Sequence, residues 1–298
     1  MAAALLACFA ASASAVTGGA PTPSGSAPPP PSHSGSPDPA PSAGTLSLIS
    51  AKTWPRKSFY YGTRAPRLRY EIGSDQPTND LRIDIVGNGG ETIVSFYRND
   101  VAPETPDSVR WDGTAGDGRP ARNGHYSFRI VPQAGGQVAR RASSSASSDP
   151  LSLGFDLYGF AFPILGAHDF GGAAGRFGAA RSGHTHEGQD VMADCGTPLV
   201  AARGGSVQYA GYQGAAGNYI VIDGKGTSFD MAYMHLLEPS PLQEGMTVRT
   251  GEPIGVVGQT GDATACHLHF EIWTAPGWYE GGSPLDPLPY LKEWDAYS

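Results

Sequence analysis

Three short motifs in the second half of the chain carry side chains that bind metal ions in proteins. The last motif places His267 and His269 two positions apart. In a β-strand both would project from one face, while Leu268 and Phe270 would project from the other face into packing. Two neighbouring imidazoles are favourable when a bound cation keeps them neutral, and the alternative is an exposed pair with no partner.

The first motif adds an imidazole and a carboxylate, since His186 and Asp190 are separated by a turn that Gly188 permits. A catalytic zinc site has three protein ligands and leaves a fourth position for water. These two residues and one histidine of the last motif form such a set, and spacing leaves open which histidine that is. The other one and His235 of the middle motif would be free bases. Because zinc lowers the pKa of bound water to about 7, the combination is suited to hydrolysing an amide.

Further segments surround these motifs in a fixed order. The full set is His186-x-Gly188-x-Asp190, Gly196-Thr197-Pro198-Leu199-Val200-Ala201-Ala202, Gly205-Ser206-Val207, Gly217-Asn218, Tyr233-x-His235-Leu236, Gly251-Glu252-Pro253-Ile254-Gly255, Gly258-x-Thr260-Gly261 and His267-Leu268-His269-Phe270-Glu271. From Gly175 to Trp273 the chain thus resembles the lysostaphin-type (LytM-like) zinc endopeptidases, which cut peptide cross-links in bacterial peptidoglycan. The resemblance implies an antiparallel β-sheet peptidase core.

The resemblance also implies a role for each of the five polar residues. His186, Asp190 and His269 match the zinc ligands of the family, which bind one zinc ion per catalytic domain. His235 and His267 match the residues that act as general base and transition-state stabiliser. It is the resemblance that assigns His269 to the metal and His267 to catalysis.

The chain departs from the family just before its last motif, where Gly-Pro is usual and Ala265-Cys266 stand here. Cys195 lies in the loop after Asp190, so we predict a disulfide that links the two metal-bearing segments. An even number of cysteines in an exported domain is compatible with one such bridge, and two buried free thiols are the alternative.

A second departure lies before the first ligand, where some members of the family carry a tyrosine. Arg181 and His184 are found in this region. We expect Arg181 to bind an oxyanion or a substrate carboxylate. The family pattern leaves His184 out of the metal site, so we expect it to be a bystander.

The elements that carry these motifs are predicted to be almost entirely β. Short apolar runs separated by glycines occur at 199–202, 206–210, 219–222, 231–236, 254–257 and 268–273. Residues 46–140 show period-two alternation, which is typical of half-buried antiparallel strands. The alternating sets are Leu68, Tyr70 and Ile72, then Leu81, Ile83 and Ile85, then Tyr126, Phe128 and Ile130.

Within residues 46–140, three segments carry a second resemblance. They are Val109-Arg110-Trp111-Asp112-Gly113, Gly116-Asp117-Gly118 and Asn123-Gly124-His125-Tyr126-Ser127-Phe128. They resemble the immunoglobulin-like domain of flagellar hook-capping proteins. We therefore predict an immunoglobulin-like β-sandwich, acting as a spacer or wall-binding module, over 46–140. A linker over 141–150 and a zinc endopeptidase domain over 151–298 would follow.

The N-terminus has the features of an export signal. Residues 1–15 are apolar and small and end in an A-x-A-like site. No Lys or Arg precedes Lys52, which is consistent with a true start upstream of Met1. A lipoprotein signal that anchors the chain through Cys8 and an alanine-rich helix are the alternatives. Residues 16–45 are rich in Pro, Ser and Gly and are predicted to be a disordered tether. The expected location is therefore secreted or in the cell envelope.

Composition excludes two classes of protein. The net charge of −8 disfavours attraction of the whole chain to nucleic acid, and no apolar run is long enough for an integral membrane span. Residues 46–150 carry 14 Lys and Arg against 11 Asp and Glu, whereas residues 151–298 carry 6 against 16. Such different halves indicate two domains.

Three functions compete for this pattern. The first is an exported zinc endopeptidase that acts on peptidoglycan. The second is a non-catalytic relative that binds the wall or activates another hydrolase, but such relatives lack one or more of the five polar groups, and this chain has all of them. The third is a β-sandwich carrier whose histidines are coincidental. Neither the peptide bond that is cut nor the oligomeric state follows from the sequence.

Overall fold

A computed structural model describes residues 46–134, 137, 139–141 and 153–298. The predicted export signal, Cys8, the tether and nearly all of the predicted linker lie outside the described residues. The described chain is almost entirely β, which confirms the predicted fold class. Its single α-helix, α1 (Leu288–Asp295), is too short to have produced a helical periodicity in the sequence. No helix within the described ranges is long and apolar enough to cross a bilayer.

The first part of the described chain forms two sheets. Its strands are β1 (Ser47–Trp54), β2 (Lys57–Phe59), β3 (Arg67–Gly73), β4 (Asn79–Gly87), β5 (Thr92–Val101), β6 (Asp107–Arg110), β7 (Gly124–Pro132), β8 (Arg140–Arg141) and β9 (Gly154–Tyr158). One sheet has the order β6-β3-β1-β8 and the other β2-β9-β7-β4-β5. The two sheets share one apolar core, so this part is a β-sandwich.

Strand alternation builds that core as the sequence predicts. The three alternating sets on β3, β4 and β7 are all buried, with Leu68, Leu81 and Ile83 fully so. Trp111 lies among them, packed edge-on against Tyr126 at 5.2 Å between ring centroids. Kinship with the hook-capping domain is not confirmed and stays a prediction.

The second part of the described chain is built on one large antiparallel sheet. Its elements are a 3₁₀ turn (Ala173–Gly175), β10 (Gln189–Met192), β11 (Pro198–Val200), β12 (Gly205–Gln213), β13 (Gly217–Gly224), β14 (Phe229–Leu236), β15 (Thr247–Val248), β16 (Pro253–Val256), β17 (His267–Thr274), β18 (Pro284–Leu285) and α1. The sheet has the order β10-β17-β14-β13-β12-β15, with β18 on β17, and β11 pairs with β16 beside it. Leu268 and Phe270 of β17 lie in the core, on the face predicted for packing.

A buried junction joins the sandwich to the large sheet, and the described residues belong to one compact unit. Thr250, which is fully buried, donates its hydroxyl to the Tyr60 carbonyl at 2.7 Å and its amide to the Tyr61 carbonyl at 3.1 Å. The buried Arg203 guanidinium lies 4.1 Å from the Tyr60 ring centroid. Strand β9 follows the predicted linker yet pairs with β7 and β2 of the sandwich. The predicted domain boundaries stay predictions.

A disulfide joins Cys195 and Cys266. Cys195 lies in the turn after β10, and Cys266 immediately precedes β17. The bridge therefore ties together the ends of the two neighbouring strands β10 and β17.

Replacing both cysteines in the variant Cys195→Ser/Cys266→Ser should destabilise the protein. The bridge spans 71 residues, so restoring that loop to the unfolded chain should cost about 4 kcal/mol of unfolding free energy in the chain-entropy model. Urea unfolding followed by tryptophan fluorescence measures the difference. An unchanged midpoint and slope would contradict the prediction, as would thiol labelling of both cysteines in the denatured, unreduced wild type.

Candidate metal centre

Three adjacent strands position the polar residues of the site. Asp190 on β10 lies directly opposite His269 on β17, and His269 in turn lies opposite Met234 on β14. His267 shares β17, and His235 follows Met234. The order β10-β17-β14 therefore brings residues from distant parts of the sequence to one place on the sheet.

Three donor atoms form a compact triangle at this place. His186 Nε2 lies 2.9 Å from His269 Nδ1 and 3.1 Å from Asp190 Oδ1, and the last two atoms are 3.0 Å apart. Tetrahedral zinc with bonds of about 2.0–2.1 Å separates its ligand atoms by about 3.3 Å. The triangle is therefore close to the size that one zinc ion requires.

The remaining ring nitrogens fix how the two imidazoles face the centre. His186 Nδ1 lies 2.9 Å from the Arg176 carbonyl oxygen, and His269 Nε2 lies 2.9 Å from Glu271 Oε1. Each of these nitrogens donates a proton to its oxygen, so each facing nitrogen presents a lone pair to the centre. With neutral rings, two lone pairs and a carboxylate at such distances repel one another, so they need positive charge between them, which a metal ion supplies or, without metal, protons on the facing nitrogens. The donor set therefore fits a divalent metal ion.

Charge around the triangle shifts the pKa of two members in the protein without metal. Burial acts to lower the pKa of His269, but the Asp190 and Glu271 carboxylates outweigh it and raise that pKa to about 9. Burial acts to raise the pKa of Asp190, but hydrogen bonds from His186 and His269 hold it well below its usual range. The surroundings thus favour a positive charge at the centre and an ionised Asp190.

His235 is held in an unusual backbone conformation. Its φ is +61°, in the left-handed region, and the pairing of β13 with β14 is interrupted between Asn218 and Ile220. Such conformations in residues other than glycine cost free energy and cluster at functional sites. The irregularity turns the imidazole towards the site, where its ring centroid lies 5.9 Å from that of His269.

The His235 ring is held neutral with one nitrogen free. Its Nδ1 donates to the Thr260 carbonyl oxygen at 2.8 Å, so Nε2 keeps a lone pair. Burial, reinforced by the nearby His267, lowers the pKa of His235 to about 4. A neutral imidazole with a free nitrogen can accept a proton near neutral pH.

His267 lies beside the triangle and is not one of its corners. Its Nδ1 donates to the Ala265 carbonyl oxygen at 2.8 Å, and its Nε2 is 3.6 Å from Asp190 Oδ1. Its ring centroid is 4.7 Å from that of His235. The structure thus places His269 among the three converging donors and puts His267 next to His235.

Two residues that support the site were missed by the sequence analysis. Glu271 accepts hydrogen bonds from Trp273 Nε1 at 2.7 Å and Trp278 Nε1 at 2.8 Å while it holds His269. Glu271 follows His269 by two positions, so strand alternation places it on the same face as the two histidines of β17. This spacing is the signal from which the sequence could have predicted its role. Thr260, whose carbonyl holds His235, gave no such signal, because its contact depends on the path of a loop.

The two residues before the first ligand occupy different environments. Arg181 Nη2 lies 3.5 Å from Asp190 Oδ2, so its guanidinium adjoins the site. Its predicted contact with an oxyanion or a substrate carboxylate stays a prediction. His184 is exposed, and the three-donor cluster does not include it.

Gly188 is needed for space. A Cβ atom at this position would lie 2.6 Å from both His269 Nε2 and the Phe270 carbonyl oxygen, and the latter belongs to the backbone of β17.

Gly188→Ala should therefore displace His269 and weaken zinc binding at least about tenfold, as loss of a residue that orients a ligand typically does. Competition with a fluorescent zinc chelator measures the affinity. Gly214→Ala is the matched control, because a Cβ atom there meets nothing within 4 Å. Equal zinc affinity in both variants would contradict this account of Gly188.

Metal content should separate the two kinds of histidine. His269→Ala removes a corner of the triangle and should abolish retention of one equivalent of zinc. His235→Ala removes a group outside the triangle and should leave zinc bound. Elemental analysis after dialysis measures both, and the reverse pattern would show that the two roles are exchanged.

Comparison with known proteins finds a family profile that matches the segment carrying this site. Residues 184–287 match the profile of Peptidase family M23. An uncharacterised metalloprotease of Haemophilus influenzae is 40% identical over 104 residues, which are 35% of this chain and 20% of that protein. The peptidoglycan DD-endopeptidase ShyC of Vibrio cholerae is 38% identical over 87 residues, 29% of this chain and 20% of that protein. The chain thus spans a fifth of the length of these two curated relatives.

Among solved structures, the catalytic domain of the antimicrobial peptidase lysostaphin from Staphylococcus simulans is similar to this chain. The two share 31% sequence identity over 42% of this chain and 92% of that domain, with a TM-score of 0.36.

Proposed function

We propose that the protein is an exported zinc endopeptidase that hydrolyses peptide cross-links of bacterial peptidoglycan, because residues 184–287 match the profile of Peptidase family M23. The observation that carries this proposal is the meeting of three converging donors with two further imidazoles in one place. The substrate class rests on similarity to a relative that is a peptidoglycan DD-endopeptidase.

His186, Asp190 and His269 would hold the zinc ion. When bound, zinc supplies a Lewis acid that polarises the scissile carbonyl and activates water for attack. The hydrogen bonds from His186 to the Arg176 carbonyl and from His269 to Glu271 keep both rings oriented for this role. Neither ring can rotate without losing this hydrogen bond.

His235 is the proposed general base. It is neutral near pH 7, since its pKa is lowered to about 4, and its Nε2 keeps a lone pair in a ring that lies beside those of His267 and His269. It can therefore accept the proton that the attacking water releases. The Thr260 carbonyl keeps the Nδ1 proton in place, so the incoming proton goes to Nε2.

His267 is the proposed transition-state stabiliser. Its ring lies 4.7 Å from that of His235, and the Ala265 carbonyl fixes its orientation. A fixed polar group beside the reacting peptide can stabilise charge that develops on the substrate without reorganising. Arg181, next to Asp190, is proposed to bind a substrate carboxylate or the same developing charge.

The location is part of the proposal. Residues 1–15 are proposed to direct export, with attachment through Cys8 as the alternative to cleavage, and residues 16–45 to act as a tether. A peptidoglycan hydrolase meets its substrate only outside the cytoplasmic membrane, so this arrangement agrees with the proposed activity.

Digestion of purified peptidoglycan sacculi by the full chain, followed by muramidase treatment and mass analysis of the resulting muropeptides, tests this function. We expect new peptide ends at cross-links, loss of activity in His269→Ala and in chelator-treated protein, and recovery of the latter on adding zinc. His184→Ala is the matched control and should digest normally, because His184 lies outside the site.

Three results would contradict the proposal. A chelator-treated sample that digests as fast as the untreated one would remove the metal from the reaction. Products cut in the glycan strands would change the bond that is hydrolysed. Binding to sacculi by the zinc-loaded protein with no loss of cross-linked muropeptides would favour the non-catalytic alternative.

A further inference from the structure

Positive charge is concentrated on the outer face of the sheet β6-β3-β1-β8. Alternation along each strand turns the apolar side chains into the sandwich and the charged ones to solvent. The loop between β2 and β3 adds one more arginine beside them. We call this set the cationic face: Lys52, Trp54, Arg64, Arg67, Arg69 and Arg110.

The register of the strands places like charges against each other. Lys52 lies directly opposite Arg69, and Arg67 lies between Trp54 on one side and Arg110 on the other. Like charges directly opposite each other destabilise a sheet. Negative charges close to these cations would stabilise such an arrangement.

Nothing in the described ranges of the chain supplies those negative charges. None of the five cations of this face has a carboxylate oxygen within 4.0 Å there. The next outward position on β3 holds Glu71, which forms no ion pair with them. The five cations are therefore available to an external anion.

The cationic face is concave and continues onto the peptidase part. It encloses a cavity of about 600 Å³. A neighbouring cavity of about 460 Å³ shares Arg110 with it and extends to Tyr61 and Arg249. Asp112 also lines the second cavity, so its one carboxylate adjoins the cations of this face. Two adjoining cavities suit a chain-like ligand better than a single ion.

Trp54 supplies a flat apolar surface within this charge. Its side chain is 58% exposed, and the Arg64 guanidinium lies 5.6 Å from its ring centroid. An exposed indole beside arginines can stack on a sugar ring while the guanidiniums bind phosphate or carboxylate oxygens in pairs. Repeated anions on successive sugars would engage several cations at once.

We propose that the cationic face binds an anionic polysaccharide, whose sugar rings stack on Trp54 and whose phosphodiester or carboxylate groups pair with the five cations. The charge of the rest of the chain agrees with this, since residues 151–298 carry an excess of ten acidic groups. A polyanion is repelled by that half and attracted to this face.

This site lies apart from the metal centre. Arg249 follows β15, which stands at one end of the large sheet, whereas Asp190 is on β10 at the opposite end. Binding of the polysaccharide and hydrolysis of a peptide are therefore separable, and the metal-site variant His269→Ala should bind polysaccharide as well as the wild type does.

Titration calorimetry of the full chain tests the proposal with three probes: phosphomannan, polygalacturonate and neutral mannan. We expect salt-sensitive binding to at least one of the two anionic polymers and none to neutral mannan. The anionic polymer that binds more tightly shows whether the cationic face prefers phosphodiester or carboxylate groups. Arg67→Gln/Arg110→Gln should weaken that binding at least about tenfold, since two of the five cations are lost.

The matched control is Arg119→Gln/Arg122→Gln, which removes two exposed cations elsewhere on the sandwich and should bind as the wild type does. Thermal unfolding checks the fold, and the Arg67/Arg110 variant should melt no lower than the wild type, because it loses a like-charge pair. Trp54→Ala should also weaken binding, which tests the sugar contact.

Four results would overturn the proposal. They are absence of binding to both anionic polymers, equal binding by the Arg67/Arg110 variant and its control, an unchanged affinity in Trp54→Ala, and tighter binding to single-stranded DNA or to anionic phospholipid vesicles than to either polysaccharide.

Discussion

The site depends on holding three electron-rich atoms about 3 Å apart against their mutual repulsion. The fold does this with antiparallel pairing, which fixes Asp190 opposite His269, and with a disulfide across the ends of the same two strands. The Arg176 carbonyl and the Glu271 carboxylate then hold a proton on His186 Nδ1 and on His269 Nε2. Glu271 accepts a hydrogen bond from His269 and is itself fixed by hydrogen bonds from two indoles. The orientation of the His269 ring therefore depends on residues that lie outside the three-donor cluster.

The proposed hydrolysis adds a second requirement, which is a base that is close to the donors without being one of them. The backbone at His235 meets it by entering the left-handed region where β14 departs from regular pairing with β13. A regular strand would have continued its alternation past this point. Burial lowers the pKa of His235, whereas the carboxylates of Asp190 and Glu271 raise the pKa of His269. Without metal, the two histidines on adjacent strands thus differ in charge, because only His269 has carboxylate partners that outweigh its burial.

Sequence patterns predicted the parts of this structure that follow from local periodicity and residue type. Alternation identified the core of the sandwich, and the spacing of His267 and His269 identified one face of β17. Spacing could not say which of the two joins the donor cluster, because that depends on the register of β17 with β10. The left-handed backbone at His235 was equally hidden, since it arises from an irregular pairing between strands. Strand β9 pairs across the predicted boundary for the same reason: partners distant in sequence leave no periodic signal.

The buried junction at Thr250 has a consequence for where the proposed endopeptidase would cut. Its buried hydrogen bonds to Tyr60 and Tyr61 fix the orientation of the sandwich on the peptidase sheet. A glycan held by the one part and a cross-link held by the other would then be separated by a constant span. Each cut would then fall at a fixed distance from the bound glycan. The geometry of the protein, more than the local density of cross-links, would therefore determine the spacing of successive cuts.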